Sequence, residues 1–183
     1  PYVSSLQATK QISKLNYFIS FGRKSSLLIG ILSAGLLIFV SSQLINFFEP
    51  TPNVSSKAIS YLILRSLGLP FYLLNMHSTA VLRGMKYPKI TLYSSLIVGV
   101  SNVVLSYFLG IVLDFGITGI AVSSSIAFFI SSLYSTKVLI DTQTQTTNSV
   151  ISEEKKEISK KFFSVGLFIF IRSMFLTLFM AYL

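Results

Sequence analysis

The sequence predicts an all-α membrane protein, a polytopic bundle of transmembrane helices. Three observations carry that prediction. The chain of 183 residues is 52% hydrophobic and only 11% charged, whereas a soluble domain carries about 25% charged residues. Mean hydropathy is +0.71, and the apolar residues fall in long runs with the charges gathered between them. The turns between runs also alternate in charge. The turn at 82–89 holds Arg83, Lys86 and Lys89, while the turn at 113–119 has no basic residue. Lys and Arg are retained on the cytoplasmic side of a membrane, which puts the first turn there.

The same composition narrows the function. A net charge of +9 fits loops facing anionic lipid. A nucleic-acid partner would need its cations on one solvated face, and no such face is visible. There is no cysteine, which removes disulfides and thiolate metal sites. The chain starts at Pro1 and stops inside an apolar run at Leu183, so it reads as a piece of a longer protein.

Residues 1–7 read as the last turns of a helix. Residues 8–24 carry Lys10, Lys14, Arg23 and Lys24 with no acid, and read as a cytoplasmic loop with an amphipathic turn near 15–21. The first complete span is 25–48, about 36 Å of helix, enough for a tilted crossing. Its stripe of Gly30, Ser33 and Ser41 either packs against a neighbour or lines a cavity. Pro50 and Pro52 mark an external turn.

The second span, 57–81, is interrupted by Pro70, which frees a carbonyl that a neighbour or water must satisfy. Arg65 lies about 12 Å inside its external end. It either reaches the headgroups or faces a wet cavity. The third span, 89–112, places Ser95, Gly99, Asn102 and Ser106 at i, i+4, i+7 and i+11, one polar face on an apolar helix. A mid-membrane Asn requires a bond to another helix or to water. The fourth span, 116–140, sets Ala121, Ser124, Phe128, Ser131 and Ser135 on one face.

Residues 141–148 contain no apolar side chain and read as a flexible linker. Ser152 then resembles an N-cap, with Glu153 and Glu154 in a first turn. The last span is 162–183, with Arg172 roughly 16 Å in, beyond easy snorkelling. Basic residues concentrate in alternate loops, so five spans is the consistent count.

No phosphate-binding Gly-rich loop occurs. The lone His77 cannot build a metal cluster and reads as a packed or hydrogen-bonded side chain. All six acids lie in loops, so no intramembrane proton relay and no acid/base pair is visible. Neither an enzyme nor a bound cofactor is expected.

The order and spacing of several residues resemble the multidrug and toxic compound extrusion (MATE) transporters, most nearly the DinF-like branch. Tyr61, Leu62, Arg65, Gly68 and Pro70 match one family helix, and Arg83 and Gly84 match the turn after it. Tyr87, Pro88 and Thr91 depart from that turn's pattern. Asn102 matches an Asn on the next helix, and Gly116, Gly119 and Ala121 match the opening of the one after. Arg172 looks like the Arg on the first helix of a second lobe. The resemblance implies a MATE-like bundle. Residues 1–140 would be a partial first lobe, 141–161 a cytoplasmic linker, and 162–183 the first helix of the second lobe.

It also implies a secondary transporter that exchanges H⁺ or Na⁺ for small organic molecules, drugs or organic acids at a midplane cleft. Arg65, Ser95, Asn102, Ser124 and Arg172 are the candidate cleft residues. The expected partners are the bilayer, a small organic substrate and the coupling cation, in the plasma membrane or an organelle membrane. Two alternatives remain at this point: a flippase of the same superfamily for a lipid-linked precursor, and a non-transporting scaffold or channel subunit.

Overall fold

The computed structural model describes residues 2–143, 154–160 and 162–164, together with 166, 167, 171 and 175. The described elements are helices: α1 Tyr2–Ala8, α2 Ile12–Asn46, α3 Pro52–Ser66, α4 Leu69–Gly84, α5 Pro88–Ser106 and α6 Gly116–Thr142. A six-residue π turn, Tyr107–Val112, continues α5. Residues 154–160 are helical as well. Among the described residues three helices are long and apolar enough to cross a membrane: α2, α5 with its π turn, and α6. The α3–α4 pair, bent by 42°, forms a fourth crossing if taken as one span.

The third and fourth expected spans agree with α5 plus its π turn, and with α6, to within two residues at each end. The first does not. No loop occupies 12–24, because α2 begins at Ile12 and runs for 35 residues. The reason is amphipathic: Leu15, Ile19 and Gly22 are buried on one face, and this face gives the helix a partner before it enters the apolar run. Lys14, Arg23 and Lys24 therefore ride on a helix. Likewise Asp141 and Thr142 close α6 instead of opening a linker. The rest of the expected linker, 144–153, lies outside the described residues.

Four of the five turns between α1 and α6, all but the α3–α4 break, hold one non-glycine residue in the left-handed region: Lys10 (φ 54°), Glu49 (48°), Lys86 (68°) and Asp114 (55°). A left-handed residue just past a helix lets the next amide reach back to the open carbonyls. Gln11 N donates to Leu6 O at 3.0 Å and Tyr87 N to Leu82 O at 2.9 Å, the two clearest cases.

Apolar core and polar contacts are segregated. The buried apolar cluster of Val3, Leu6, Leu15, Ile19, Val81, Leu82, Met85 and Leu139 lies at the end of the bundle that carries the basic turn. Beyond it, α5 and α6 meet through small and polar side chains. On α6, Gly119, Ser123, Ala127, Ser131 and Ser135 recur every fourth residue and are all buried. Opposite them Ser94, Asn102 and Ser106 of α5 and Gly110 of the π turn face α6. Two such rows let backbones approach closely where lipid offers no hydrophobic drive. A Cβ on Gly119 would stand 2.6 Å from the carbonyl oxygen of Leu109.

Candidate functional site

Two asparagines organise the polar interior. On α4, the Oδ1 of Asn75 accepts from three hydroxyls: Ser135 at 2.8 Å, Ser94 at 2.9 Å and Ser131 at 3.3 Å. Ser94 and Ser131 lie 2.8 Å apart, and Ser131 Oγ also donates to Ser94 O at 3.0 Å. One helix turn along α4, Ser78 and Thr136 are 3.2 Å apart. This node ties α4, α5 and α6 together. Farther along the same seam, the Oδ1 of Asn102 accepts from Ser106 at 3.0 Å and from Ser124 at 3.4 Å. Ser106 continues to Ser123 at 2.6 Å.

The α3–α4 break forms a joint. Gly68 N turns to Arg65 O at 3.2 Å, so the Leu64 carbonyl loses its ordinary helical donor. Ser125 of α6 supplies one, with its Oγ 3.0 Å away. A Cβ on Gly68 would come 3.0 Å from Ser125 Cα, and one on Gly30 would come 2.5 Å from Pro70 Cα. Both glycines are needed for the close approach of helices at the bend.

Arg65 occupies the last turn of α3. Its guanidinium carbon sits 5.1 Å from the centre of the Phe128 ring, within cation–π reach. Phe128 meets Tyr72 edge-on at 5.0 Å. Among the described residues Arg65 has no carboxylate partner; the ion pair there is Lys14–Glu154, 3.0 Å apart at the basic end. Phe128 is one turn along α6 from Ser124, so Arg65, Ser124 and Asn102 are approached from one stretch of α6. His77 Nε2 lies 3.2 Å from Ile19 O and donates to it, and the ring fills the notch that Gly22 leaves in α2.

The structure brings Asn102 and Ser124 into contact and sets Arg65 over Phe128, one turn along α6 from Ser124. Ser95 is exposed, and a Cβ on Gly99 would meet nothing within 4 Å. The seam proceeds in steps of four from Ser94, one residue earlier than the expected face. Arg172 lies outside the described residues. Asn75 is absent from the sequence-based candidates, although an Asn within the apolar run of 69–81 carries the same signal as Asn102. Among the described residues no group of three His, Asp or Glu side chains is placed to hold a metal. The polar interior thus consists of neutral donors and acceptors with one flanking cation.

Apolar helices of crossing length, joined by short turns and sewn together by an internal polar seam, define a multi-pass integral membrane protein. The MatE family model matches residues 2–108, and the chain belongs to that family. It is similar to Protein DETOXIFICATION 43 of Arabidopsis thaliana, 34% identical over 109 residues, covering 58% of this chain and 21% of that protein. It is also similar to the Lipid II flippase MurJ of Thermosipho africanus (strain TCF52B), 33% identical over 123 residues, covering 65% of this chain and 26% of that protein. The chain thus spans about a fifth to a quarter of the length of these relatives. No solved structure matches it significantly.

Proposed function

We propose that the chain forms part of an ion-coupled secondary transporter that exports small organic molecules, with organic acids among its substrates. MatE membership and similarity to a protein named for detoxification support transport. The match of Tyr61, Leu62, Arg65, Gly68 and Pro70 to the DinF-like pattern supports that branch. The basic end of the bundle faces the cytoplasm, and either H⁺ or Na⁺ drives exchange. Asn102, Ser124 and Arg65 contribute to the first lobe's wall, Ser95 lies farther along α5, and Arg172 approaches from the second lobe.

One observation carries the preference for acids. Arg65 sits on an aromatic face with no carboxylate partner among the described residues. A membrane-embedded Arg needs a partner, and a substrate carboxylate supplies one through the planar two-donor fork. Flux through the full-length protein in proteoliposomes tests this with an organic acid and an organic cation. Arg65→Lys keeps the charge and loses the fork, so acid flux falls more than cation flux. Arg65→Gln abolishes the acid preference. Unchanged acid flux in both variants contradicts the assignment.

A further inference from the structure

One stretch of α6 holds both the α3–α4 joint and Arg65. Ser125 Oγ donates to Leu64 O at 3.0 Å. Phe128, one turn farther along α6, carries the Arg65 guanidinium over its ring at 5.1 Å. Residues at i and i+3 share a helix face, so both contacts lie on one face of α6. Across the bend, Phe128 meets Tyr72 at 5.0 Å and Phe129 meets Phe71 at 4.9 Å. α6 thus spans the joint and grips the end of α3 together with the start of α4.

The contact at Leu64 reaches Arg65 through the backbone. The Leu64 carbonyl and the Arg65 amide belong to one planar peptide unit, so fixing that carbonyl fixes the plane on which the Arg65 Cα is mounted. The carbonyl depends on Ser125, because Gly68 N turns to Arg65 O instead. The dependence runs one way. Ser125 has a second acceptor on its own helix, Ala121 O at 3.3 Å. Gly68 makes room for the hydroxyl, since a Cβ there would stand 2.8 Å from Ser125 Oγ. The neighbouring Ser123 and Ser124 turn instead to Ser106 and Asn102.

We infer that Ser125 is the positioning residue for Arg65. It fixes the root of the side chain while Phe128 fixes its tip, and together they set how the guanidinium meets a substrate carboxylate. This rests on the reading of Arg65 as the acid-binding group. A carboxylate held by a planar two-donor fork demands direction as well as charge. A guanidinium whose mount swings therefore loses affinity for acids and not for cations.

Flux of succinate and of tetraethylammonium through the full-length protein in proteoliposomes tests this. Ser125→Ala removes the hydroxyl and keeps the Cβ. The KM for succinate is expected to rise roughly three- to tenfold, the span of one hydrogen bond. The maximal rate and the KM for tetraethylammonium stay as they were, whereas a loosened bundle would slow both substrates alike. Ser125→Thr restores the donor and brings the succinate KM back. In the Arg65→Gln background Ser125→Ala adds nothing, because both changes act through one group. An unchanged succinate KM in Ser125→Ala, an equal shift for both substrates, or an additive loss on top of Arg65→Gln overturns the inference. If Ser125→Ala does not fold, Ser125→Cys, with its weaker donor, carries the test: a smaller shift confined to succinate is expected, and no shift overturns it. Wild-type succinate flux in Arg65→Gln defeats the acid-binding reading itself, and the role of Ser125 falls with it.

Discussion

At the scale of the residue, three hydroxyls from two helices converge on the Oδ1 of Asn75, and all four side chains are buried. Removing the shared acceptor takes one bond from each hydroxyl, while Ser131 keeps Ser94 O and Ser135 keeps Ser132 O. Hydrogen bonds of this kind in membrane proteins contribute about 0.6 kcal/mol each, up to roughly 1.7. Asn75→Leu is expected to cost about 2 kcal/mol, measured by reversible unfolding in mixed micelles. Asn102→Leu removes a node with one long bond, and should cost less while lowering flux if it lines the path. A second residue-scale prediction concerns Lys86, which is exposed and left-handed at φ 68°. The left-handed conformation costs a non-glycine residue about 1–2 kcal/mol, part of which glycine returns as chain entropy. Lys86→Gly should raise stability by up to about 1 kcal/mol. Sequence alone singled out Arg65, Asn102 and Pro70, because each breaks an apolar run and requires a partner. It did not distinguish Ser94 from Ser95. A serine in a helix can satisfy itself on the preceding turn, as Ser41 does on Ile38 O and Ser66 on Ile63 O, so its type does not say which way it faces.

At the scale of the element, the contact between α5 and α6 follows rows of every fourth residue. Expected spacings of i, i+4, i+7 and i+11 describe a stripe parallel to the helix axis. Rows at i+4 run obliquely, as they do when helices cross at an angle and ridges of one fill grooves of the other. This is why the ends of α5 and α6 were readable from hydropathy while the register of their contact was not. The length of α2 was misread for a related reason. Charged residues spaced along an amphipathic turn look like a loop until their buried partners, here α1 and α4, are known. The register makes a paired prediction. Gly119→Leu drives a side chain into the Leu109 carbonyl and should cost about 1–3 kcal/mol or more, as overpacking does. Gly99→Leu has open space and should change stability little. Melting temperatures of the two variants in one detergent check this, and equal losses would refute the register.

At the scale of the whole molecule, the helices weave so that the turns at Lys10 and Lys86 and the end of α6 share one side. The turns at Glu49 and Asp114 share the other. The buried apolar cluster closes the basic side, and the polar seam runs into the membrane interior. That weave is the central claim, since the proposed transport role depends on it. The chain contains no cysteine, so single-cysteine variants report position cleanly. Lys86 and Asp114 are both exposed, whereas Met85 between the basic residues is buried. The most direct test therefore labels Lys86→Cys and Asp114→Cys in intact cells with a membrane-impermeant thiol reagent. The account predicts rapid labelling at 114 and none at 86 until the membrane is permeabilised. Labelling of both positions from outside, or of 86 alone, would contradict it.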